Sequence, residues 1–310
     1  MDPRIRPAPD LIRVRDGNRG LTQVLRSQRV GKLVHARDAP WPCARIAFHQ
    51  AYVAVKCGMD IATQYERQSA WRDWRTAYRA LPDLKGKKVL DLGCAVGTQS
   101  RDLAELGAAV VGVELDPKLL AVARSKNIPR ATFLLGDIRD AFPTEPVDGI
   151  WSSFVTAYFP DLEPVLRKWR SALKPGGWLA LTEVDDMFGH EPLSVRAAQI
   201  LNAFAKDALI AKRYDFSMGS KLASQMKLAG FQDVKELSLN DQELSFTGPA
   251  SREILDAWAD RFDRMKSLQM TAGEEFEQLR KDFLECLAHP EHRVTARVCF
   301  CVGFLPDCAS

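Results

Sequence analysis

Short apolar runs separated by amphipathic stretches dominate the middle of the chain. Buried strands are predicted where the apolar runs fall, at residues 88–92, 109–116, 132–138, 147–154 and 178–184. Between them, residues 98–106 and 160–173 have apolar side chains at the three- and four-residue spacing of amphipathic helices. Because strands that alternate with helices form parallel sheets with helices on both faces, this pattern predicts an α/β fold.

Two further strands and several extra helices are predicted outside this alternation. Residues 231–239 and 294–303 have strand-like apolar patterns. Helical apolar spacing recurs in residues 59–81, 190–215, 254–265 and 276–287. Since the last two segments lie between the two late strands, helical insertions are predicted at about 190–215 and 251–288.

A turn of small residues follows the first strand directly. Residues 93–97 are Gly-Cys-Ala-Val-Gly, and a helical pattern begins at Thr98. Glycine lets the backbone approach a ligand closely, and the free amides of a helix N-terminus face that ligand. A dinucleotide-binding turn would have glycine at positions 93, 95 and 98, whereas this chain has Ala95 and Thr98. The turn therefore indicates a nucleotide-like ligand other than a dinucleotide.

Acidic side chains are predicted at the ends of the first three strands. Asp91 precedes Gly93 by two residues, Glu114 follows it by 21, and Asp137 follows Glu114 by 23. Because ligands bind at the carboxyl edge of a parallel sheet, we expect the three acids to line one site. A carboxylate at Glu114 accepts both hydroxyls of a ribose, which by itself would also suit NAD.

The sequence D-x-G-x-A-x-G over residues 91–97 resembles motif I of the class I S-adenosylmethionine (SAM) methyltransferases, with Ala95 in place of the usual middle glycine. The resemblance covers residues 85–240, including an L-K-P-G-G turn, and resumes near 292–303. It implies a Rossmann-like sheet of seven strands in the order 3-2-1-4-5-7-6, within a SAM-binding domain at 85–303. It also implies SAM as cofactor and S-adenosylhomocysteine (SAH) as product.

The resemblance also assigns contacts to the cofactor. In this family an acid after the third strand takes the adenine amino group and the next residue packs on the ring, which suits Asp137 and Ile138. The turn after the fourth strand contacts the methionine end of SAM. The predicted cofactor-binding residues are Asp91, Gly93, Cys94, Ala95, Gly97, Thr98, Glu114, Leu115, Asp137, Ile138, Ser152, Ser153 and Phe154.

The aromatic helical pattern before the first strand predicts a lid. In the resembling family such a helix, here within residues 59–84, lies across the cofactor site. Tyr65 and Trp71 are predicted to lie near the cofactor or acceptor, although an aromatic stripe at helical spacing also suits plain packing. Tyr158, just beyond the fourth strand, is a further candidate contact for the acceptor.

Candidate proton acceptors follow the fifth strand. A hydroxyl acceptor must lose a proton on methylation, whereas a neutral amine needs only positioning. Because an unperturbed histidine titrates near neutral pH, His190 is a candidate base, and it is also a candidate acceptor contact. Asp185 shares a strand face with Glu183. Three alternatives stay open: His190 as base, Asp185 as base, or no base. No metal is expected, because Glu183, Asp185, Asp186 and His190 match no known ligand spacing.

The basic charge of the chain comes from its first segment. Residues 1–58 contain 11 Lys and Arg, 4 Asp and no Glu, a net charge of +7 within a chain of net charge +3. The remainder, with 32 basic and 36 acidic residues, is net −4, which argues against a nucleic-acid-binding catalytic domain. Residues 1–58 lack a helical or strand period. We expect a poorly ordered basic arm, a targeting peptide, or a non-native segment upstream of a start at Met59.

These features together predict SAM-dependent methyl transfer to the oxygen or nitrogen of a small molecule. The turn at 152–155 lacks the N/D-P-P-Y/F and Pro-Cys sequences of enzymes that methylate nucleic-acid bases. Methylation of a protein or RNA is one alternative, and a non-catalytic SAM-binding regulatory protein is another. No apolar run reaches the roughly 18–20 residues of a membrane span. We expect a cytoplasmic protein with no nucleic-acid or membrane partner, and the inserted helices suit either an acceptor cap or a homodimer.

Overall fold

A computed structural model describes residues 60–307, so the expectations for residues 1–58 and for a start at Met59 lie outside the described residues. The strands are β1 Lys88–Leu92, β2 Ala109–Glu114, β3 Ala131–Leu135, β4 Val147–Ser153, β5 Leu173–Asp185, β6 His190–Glu191, β7 Gln232–Leu239, β8 Arg293–Val294 and β9 Arg297–Phe304. The helices are α1 Ile61–Ala70, α2 Trp74–Arg79, α3 Thr98–Glu105, α4 Pro117–Ser125, α5 Glu163–Ser171, α6 Val195–Ile210, α7 Leu222–Leu228, α8 Arg252–Arg264, α9 Lys266–Ala272 and α10 Phe276–Ala288.

Seven of the strands form one sheet in the order β3-β2-β1-β4-β5-β9-β7. The first five pair in parallel, and β9 runs antiparallel to both β5 and β7. With β7 as sixth strand and β9 as seventh, the predicted order 3-2-1-4-5-7-6 is confirmed. This topology places the carboxyl ends of β1, β2, β3, β4 and β5 along one edge, where ligands bind in open parallel sheets.

Helices cover both faces of the sheet because side chains alternate along each strand. Val89 and Trp151 are fully buried on one face, against α2, α3 and α4. Leu90 and Ile150 are fully buried on the opposite face, against α5 and α7. The result is the three-layer α/β arrangement that the alternation of strands and helices predicts.

The extra helices pack against one another as a cap beside β5. Helix α6 comes from the predicted segment 190–215, and α8, α9 and α10 come from 251–288. The rings of Trp258 and Phe283 lie 4.9 Å apart, and those of Phe262 and Phe283 lie 5.0 Å apart. All three side chains are fully buried, so the cap has its own aromatic core. Helix α9 was not predicted from the sequence.

The N-terminal helical segment differs from the prediction. One helix was expected over 59–84, but α1 and α2 are separated by a break at Trp71–Asp73. Asp73 caps α2 by accepting hydrogen bonds from the Thr76 amide at 3.2 Å and the Thr76 hydroxyl at 2.7 Å. Arg72, in the break, forms an isolated bridge to Asp241. Because an aspartate N-cap favours a new helix start, the chain turns here instead of continuing.

Some strand ends also differ, for local reasons. Strand β2 stops at Glu114 because its carboxylate accepts the next two backbone amides. Strand β3 stops at Leu135, before a turn in which Asp137 accepts the amide of Arg139. Strand β5 begins at Leu173, since the residues of the predicted Lys-Pro-Gly-Gly turn continue into the strand through a register shift against β4.

Candidate functional site

The glycine-rich turn between β1 and α3 is packed too tightly for a side chain at its first position. Gly93 and Gly97 have φ angles of +79° and +77°. A Cβ atom at Gly93 would come within 2.5 Å of Val155 Cγ2. The Gly93 and Cys94 amides donate to the Val113 carbonyl at 2.9 and 3.1 Å. The backbone of the turn is therefore held between the ends of β2 and β4.

We expect Gly93→Ala to destabilise the protein more than Gly86→Ala. Both positions have a positive φ, but the Gly86 position has no atom within 4 Å of an added Cβ. Both variants carry the left-handed backbone strain of about 1–2 kcal/mol, and only Gly93→Ala adds the clash with Val155. Urea unfolding of the two variants measures the difference. Equal free energies of unfolding would contradict the tight turn.

Asp91 is a buried acid at the end of β1. It is 2% exposed and accepts a hydrogen bond from the Ser100 hydroxyl at 2.5 Å. Burial raises the pKa of its carboxyl to about 7, and the nearby charge of Glu114 adds to the rise. No Lys, Arg or His of the described residues forms an ion pair with it. Its negative charge is therefore uncompensated in the protein alone.

Glu114 ties the end of β2 to the glycine turn. Its Oε2 accepts the Ala95 amide at 3.0 Å, and its Oε1 accepts the Leu115 and Asp116 amides at 2.8 Å. Burial raises the pKa of this carboxyl, although the three amides oppose the rise. Because Oε2 accepts only one of these amides, it retains a lone pair for a ligand hydroxyl.

These two carboxylates fit SAM better than they fit an anionic ligand. Asp91 and Glu114 are both buried, and the charge of Glu114 helps to raise the pKa of Asp91. Neither carboxylate has a cationic partner among residues 60–307. SAM carries a sulfonium and an ammonium group, and its ribose supplies two hydroxyls. A cationic ligand at this edge would offset the burial of two negative charges.

Asp137 and Ile138 follow the end of β3 as expected, but the Asp137 carboxylate is already bonded within the protein. The Arg139 guanidinium and amide bond to the Asp137 carboxylate, and although burial acts in the opposite sense, they hold its pKa below the ordinary value. Ile138 is 9% exposed, and its carbonyl accepts the Trp169 indole N–H at 2.9 Å. Both residues lie at the predicted edge, but Asp137 is engaged by Arg139.

The other predicted cofactor residues lie at the same edge, and they differ in whether their polar groups are already hydrogen-bonded within the protein. The Ser152 hydroxyl donates to the Leu92 carbonyl at 2.8 Å, whereas the buried hydroxyls of Ser153 and Thr98 have no hydrogen-bond partner among the described residues. Cys94 is buried, which raises the pKa of its thiol and keeps it neutral. Ser153 and Thr98 are thus the hydroxyls free to meet a ligand.

Phe154 closes the turn after β4. Its φ is +57°, an unusual value for a bulky residue, and the Arg72 guanidinium lies 4.2 Å from the centre of its ring. The Trp74 ring approaches it edge-on at 6.2 Å. The strained backbone is held by these contacts, which join the end of β4 to the break between α1 and α2.

Helix α1 covers the glycine turn, as a lid would. Ala62 packs with Val96 of the turn and Leu119 of α4 in one small apolar cluster. Glu66 forms an ion pair with Lys126 at 2.7 Å, and Lys126 also donates to the Val96 carbonyl at 2.8 Å. These contacts fix α1 against the glycine turn and α4.

Tyr65 and Tyr158 converge with a third tyrosine that the sequence did not reveal. The rings of Tyr158 and Tyr214 lie 4.9 Å apart at 84°. Tyr65 is 39% exposed and Tyr158 38% exposed, yet burial is the main cause that raises the pKa of each. Each tyrosine also responds to the charge of Glu114. Tyr65 also acts on the pKa of Tyr158. We call this partly exposed group of Tyr65, Tyr158 and Tyr214 the tyrosine cleft.

Trp71 lies elsewhere. It lines a surface cavity of about 380 Å³ together with Asn240, Gln242 and Phe246, and none of residues 91–97 lines that cavity. The Arg67 guanidinium lies 5.1 Å from its ring centre. The structure thus does not bring Trp71 together with the tyrosine cleft.

The two predicted bases are also separate from the cleft. His190 is 2% exposed, and its Nδ1 lies 3.0 Å from His292 Nε2. Burial among the rings of the cap lowers the pKa of His190 to about 3. Asp185 bonds to Arg297 at 2.7 Å. Neither His190 nor Asp185 contacts a tyrosine of the cleft.

Glu183 lies on the same face of β5 as Asp185 and contacts the turn that carries Tyr158. It is fully buried and accepts hydrogen bonds from the Thr156 hydroxyl at 3.2 Å and the Ala157 amide at 3.0 Å. Burial raises the pKa of its carboxyl to about 7. Since Thr156–Tyr158 is a short 3-10 turn, Glu183 holds the turn that presents Tyr158.

A buried ion network joins the lid to the cap, and sequence inspection missed it. Glu243 accepts a hydrogen bond from Gln68 at 3.1 Å and pairs with both Arg261 and Arg72. Arg72 also pairs with Asp241 at 2.9 Å. Gln68 and Arg72 of the lid lie about 170 residues before their partners Glu243 and Asp241 in the sequence. Only the fold brings them together.

The described residues contain neither a metal-holding cluster of side chains nor a membrane-spanning helix. Within residues 60–307, no group of three or more His, Cys, Asp or Glu side chains is placed to hold a metal ion. Across the same residues, no helix combines the length and apolar character needed to cross a bilayer.

Comparison with known proteins finds a methyltransferase domain in the middle of the chain. Residues 90–181 match the family described as a methyltransferase domain. The chain is 30% identical to the demethylmenaquinone methyltransferase of Tropheryma whipplei over 126 residues, 40% of this chain and 52% of that protein. It is 28% identical to the ubiquinone biosynthesis O-methyltransferase of Xanthomonas euvesicatoria over 155 residues, 48% of this chain and 64% of that protein.

A solved structure matches the fold over a longer stretch. The cyclopropane synthase MmaA2 from Mycobacterium tuberculosis aligns with a TM-score of 0.52 and 20% identity, covering 82% of this chain and 90% of that one. The strand order, the glycine turn and the family match identify a class I SAM-dependent methyltransferase domain, whose family uses SAM as cofactor. The chain spans about half the length of the first of the curated relatives.

Proposed function

We propose that this protein transfers the methyl group of SAM to a small-molecule acceptor. The observation that carries the proposal is the pair of buried carboxylates, Asp91 and Glu114, at the carboxyl edge beside the glycine turn. Both lack a cationic partner among residues 60–307, and both fit a cationic ligand with ribose hydroxyls. The match to the methyltransferase domain family supports the same assignment.

Some residues of the chain would bind SAM, and others would enclose the reactants. Bound SAM supplies an electrophilic methyl group on its sulfonium. Glu114 would take the ribose hydroxyls, and Asp91 would offset positive charge. Helix α1 and the tyrosine cleft would exclude water and position the acceptor, and such positioning lowers the barrier of a two-reactant transfer.

The cleft favours a small organic acceptor over a macromolecule. Tyr65, Tyr158 and Tyr214 come from three separate segments, and the charge of Arg261 on cap helix α8 lowers the pKa of each. A site lined by aromatic side chains with a few polar groups is typical of small-molecule pockets. The two curated relatives are named for demethylmenaquinone and for an O-methyltransferase step of ubiquinone biosynthesis. Transfer to an oxygen or nitrogen of a comparable small molecule is what we propose here.

Of the three alternatives for proton transfer, the geometry best supports the one in which neither His190 nor Asp185 acts as a base and the protein only positions the acceptor. His190 is enclosed by the rings of Phe246, Trp258 and Phe283, and Asp185 is paired with Arg297. An amine that is already neutral, or an acceptor oxygen that is already ionised, needs no proton transfer in the methyl-transfer step.

Glu114→Gln is expected to weaken SAM and SAH binding by roughly 1–3 kcal/mol, the scale of lost charge-assisted hydrogen bonds. Calorimetric titration of the full chain measures both affinities. Glu253→Gln is the matched control, because Glu253 is an exposed acid on α8 outside the site. Unchanged affinity in Glu114→Gln would contradict the assignment.

Formation of SAH from SAM tests the activity itself. Incubation with a panel of phenols, catechols, amines and carboxylic acids is expected to yield SAH with at least one class, and Glu114→Gln is expected to lower that rate. Cofactor binding without SAH formation from any acceptor would instead indicate a non-catalytic SAM-binding protein.

A further inference from the structure

Ala157 connects the two segments that carry Tyr158 and Tyr214. Its amide donates to Glu183 Oε2 at 3.0 Å, and its carbonyl accepts a hydrogen bond from the Asp215 amide at 2.8 Å. The carbonyl belongs to the peptide group before Tyr158, and the Asp215 amide belongs to the peptide group after Tyr214. The backbones of the two tyrosines are therefore bonded to each other, and the connection ends at Glu183.

The rings of the same two tyrosines also contact each other. Tyr158 and Tyr214 lie 4.9 Å apart at 84°, which is the edge-to-face arrangement that aromatic pairs prefer. On the cap side, the Tyr214 ring lies 4.6 Å from Phe216, and Phe216 lies 5.4 Å from Phe204 of α6. The aromatic core of the cap thus supports one tyrosine, whereas the short 3-10 turn at Thr156–Tyr158 supports the other.

Glu183 is the side chain that fixes this turn. Besides the Ala157 amide it accepts the Thr156 hydroxyl at 3.2 Å and the Val184 amide at 3.1 Å. It is fully buried and forms no ion pair with any of residues 60–307, so burial raises the pKa of its carboxyl to about 7. The two donors of the turn offset part of the cost of burying this acid. An apolar residue in its place would leave both donors unpaired.

We propose that Glu183 is a positioning residue of the acceptor site: through Ala157 it holds Tyr158 and Tyr214 at right angles, as one wall against which the acceptor rests. This inference rests on the proposed function, because it assigns a role within the same tyrosine cleft. Glu183 acts through the turn and not on the acceptor itself. A wall that is already ordered lowers the entropy cost of binding the acceptor.

Nuclear Overhauser contacts between the two tyrosine rings test the proposal on the full chain, labelled with 13C in tyrosine alone and measured with and without SAH. Tyr158→Phe and Tyr214→Phe assign the signals. Glu183→Leu should abolish the contact between the rings, because it leaves the donors of the turn without an acceptor. Glu183→Gln should keep the contact, because its amide oxygen still accepts the Ala157 amide.

Two controls separate positioning from a general loss of structure. Tyr78 is the internal control, because its hydroxyl donates to Asp102 at 3.0 Å and not to the turn. Its signals should stay in place in every Glu183 variant. Glu236→Leu is the matched control, since Glu236 is an exposed acid on β7. It should keep the contact between the two cleft tyrosines.

Thr156→Val is the second variant, in case Glu183→Leu does not fold. It removes only the hydroxyl that donates to Glu183, and it should shift the ring signals of Tyr158 and Tyr214 but not those of Tyr78. An unchanged ring contact in Glu183→Leu, its loss in Glu183→Gln, or unshifted signals in Thr156→Val would overturn the positioning role.

Kinetics then separates the acceptor from the cofactor. For the member of the acceptor panel that yields SAH fastest, Glu183→Leu should raise the KM about fivefold or more, the scale of losing one aromatic contact. The Kd of SAH should not change. An unchanged KM, or a Kd of SAH that rises in parallel, would overturn the acceptor wall. Failure of the unchanged chain to bind SAH would instead defeat the proposed function, whereas the ring contacts would still decide what Glu183 holds.

Discussion

Asp91→Asn is expected to stabilise the protein without ligand and to weaken its binding of SAM. The folded carboxyl has a pKa of about 7, raised from 3.8, so the folded state binds more protons than the unfolded state between those pH values. Stability therefore falls as pH rises through this window, and above pH 7 the full penalty is present. At about 1.4 kcal/mol per pKa unit, the asparagine variant should be more stable at pH 8 by roughly 4 kcal/mol.

At pH 4, where the carboxyl of Asp91 is protonated in the folded state, the same substitution should change stability little. The Ser100 hydroxyl can donate to an amide oxygen as it does to the carboxylate. At pH 8 the affinity for cationic SAM should nevertheless fall by roughly 1–3 kcal/mol, because the substitution removes the negative charge of the ionised carboxylate. Urea unfolding at the two pH values and calorimetry with SAM measure both effects.

Asp233→Asn is a suitable control for this prediction, because Asp233 is exposed near the start of β7. It should change neither stability nor SAM affinity. A destabilised Asp91→Asn protein at pH 8 would show that the ionised carboxylate stabilises the fold, contrary to its burial without a cation. Retained SAM affinity would remove Asp91 from the cofactor site.

Glu243→Gln should destabilise the protein by roughly 3–5 kcal/mol, the scale of breaking a buried ion pair from one side. Glu243 is fully buried and pairs with both Arg72 and Arg261. Burial alone would raise its pKa, but the two arginines hold the pKa below the ordinary value. Loss of its charge leaves two buried guanidinium groups with Asp241 as the remaining acid of the network.

Thermal and urea unfolding of Glu243→Gln measure this effect, and Glu275→Gln is the exposed counterpart. Glu275 pairs with Arg196 at the surface of the cap, where solvent screens the interaction, so its loss should change stability little. Similar stability changes for the two variants would contradict the role of Glu243 in joining lid and cap.

Local sequence patterns sufficed for the central fold. The apolar runs before Gly93, Glu114 and Gly136 each mark a strand. The acids at these three strand ends meet at one edge of the sheet because β1, β2 and β3 are parallel. The order of the seven strands followed from the family resemblance. The glycine turn was predictable because its backbone conformation and close packing demand particular residues at fixed spacing.

The acceptor side could not be predicted in the same way. Tyr214 and Arg261 lie in two insertions whose packing depends on the aromatic core of the cap, and no local spacing encodes that packing. The predictions for His190 and Trp71 relied on residue type and position near strand ends. Tertiary packing determines where these two residues lie. Aromatic rings enclose His190, and the break after α1 places Trp71 on another surface.

Calorimetric titration of the purified full chain with SAM, SAH and NADH tests the central claim most directly. Binding of SAM and SAH with micromolar Kd values, about −8 kcal/mol, together with no binding of NADH, is the result we predict. Binding of NADH alone, or of none of the three, would contradict a SAM site built on Asp91, Glu114 and the glycine turn.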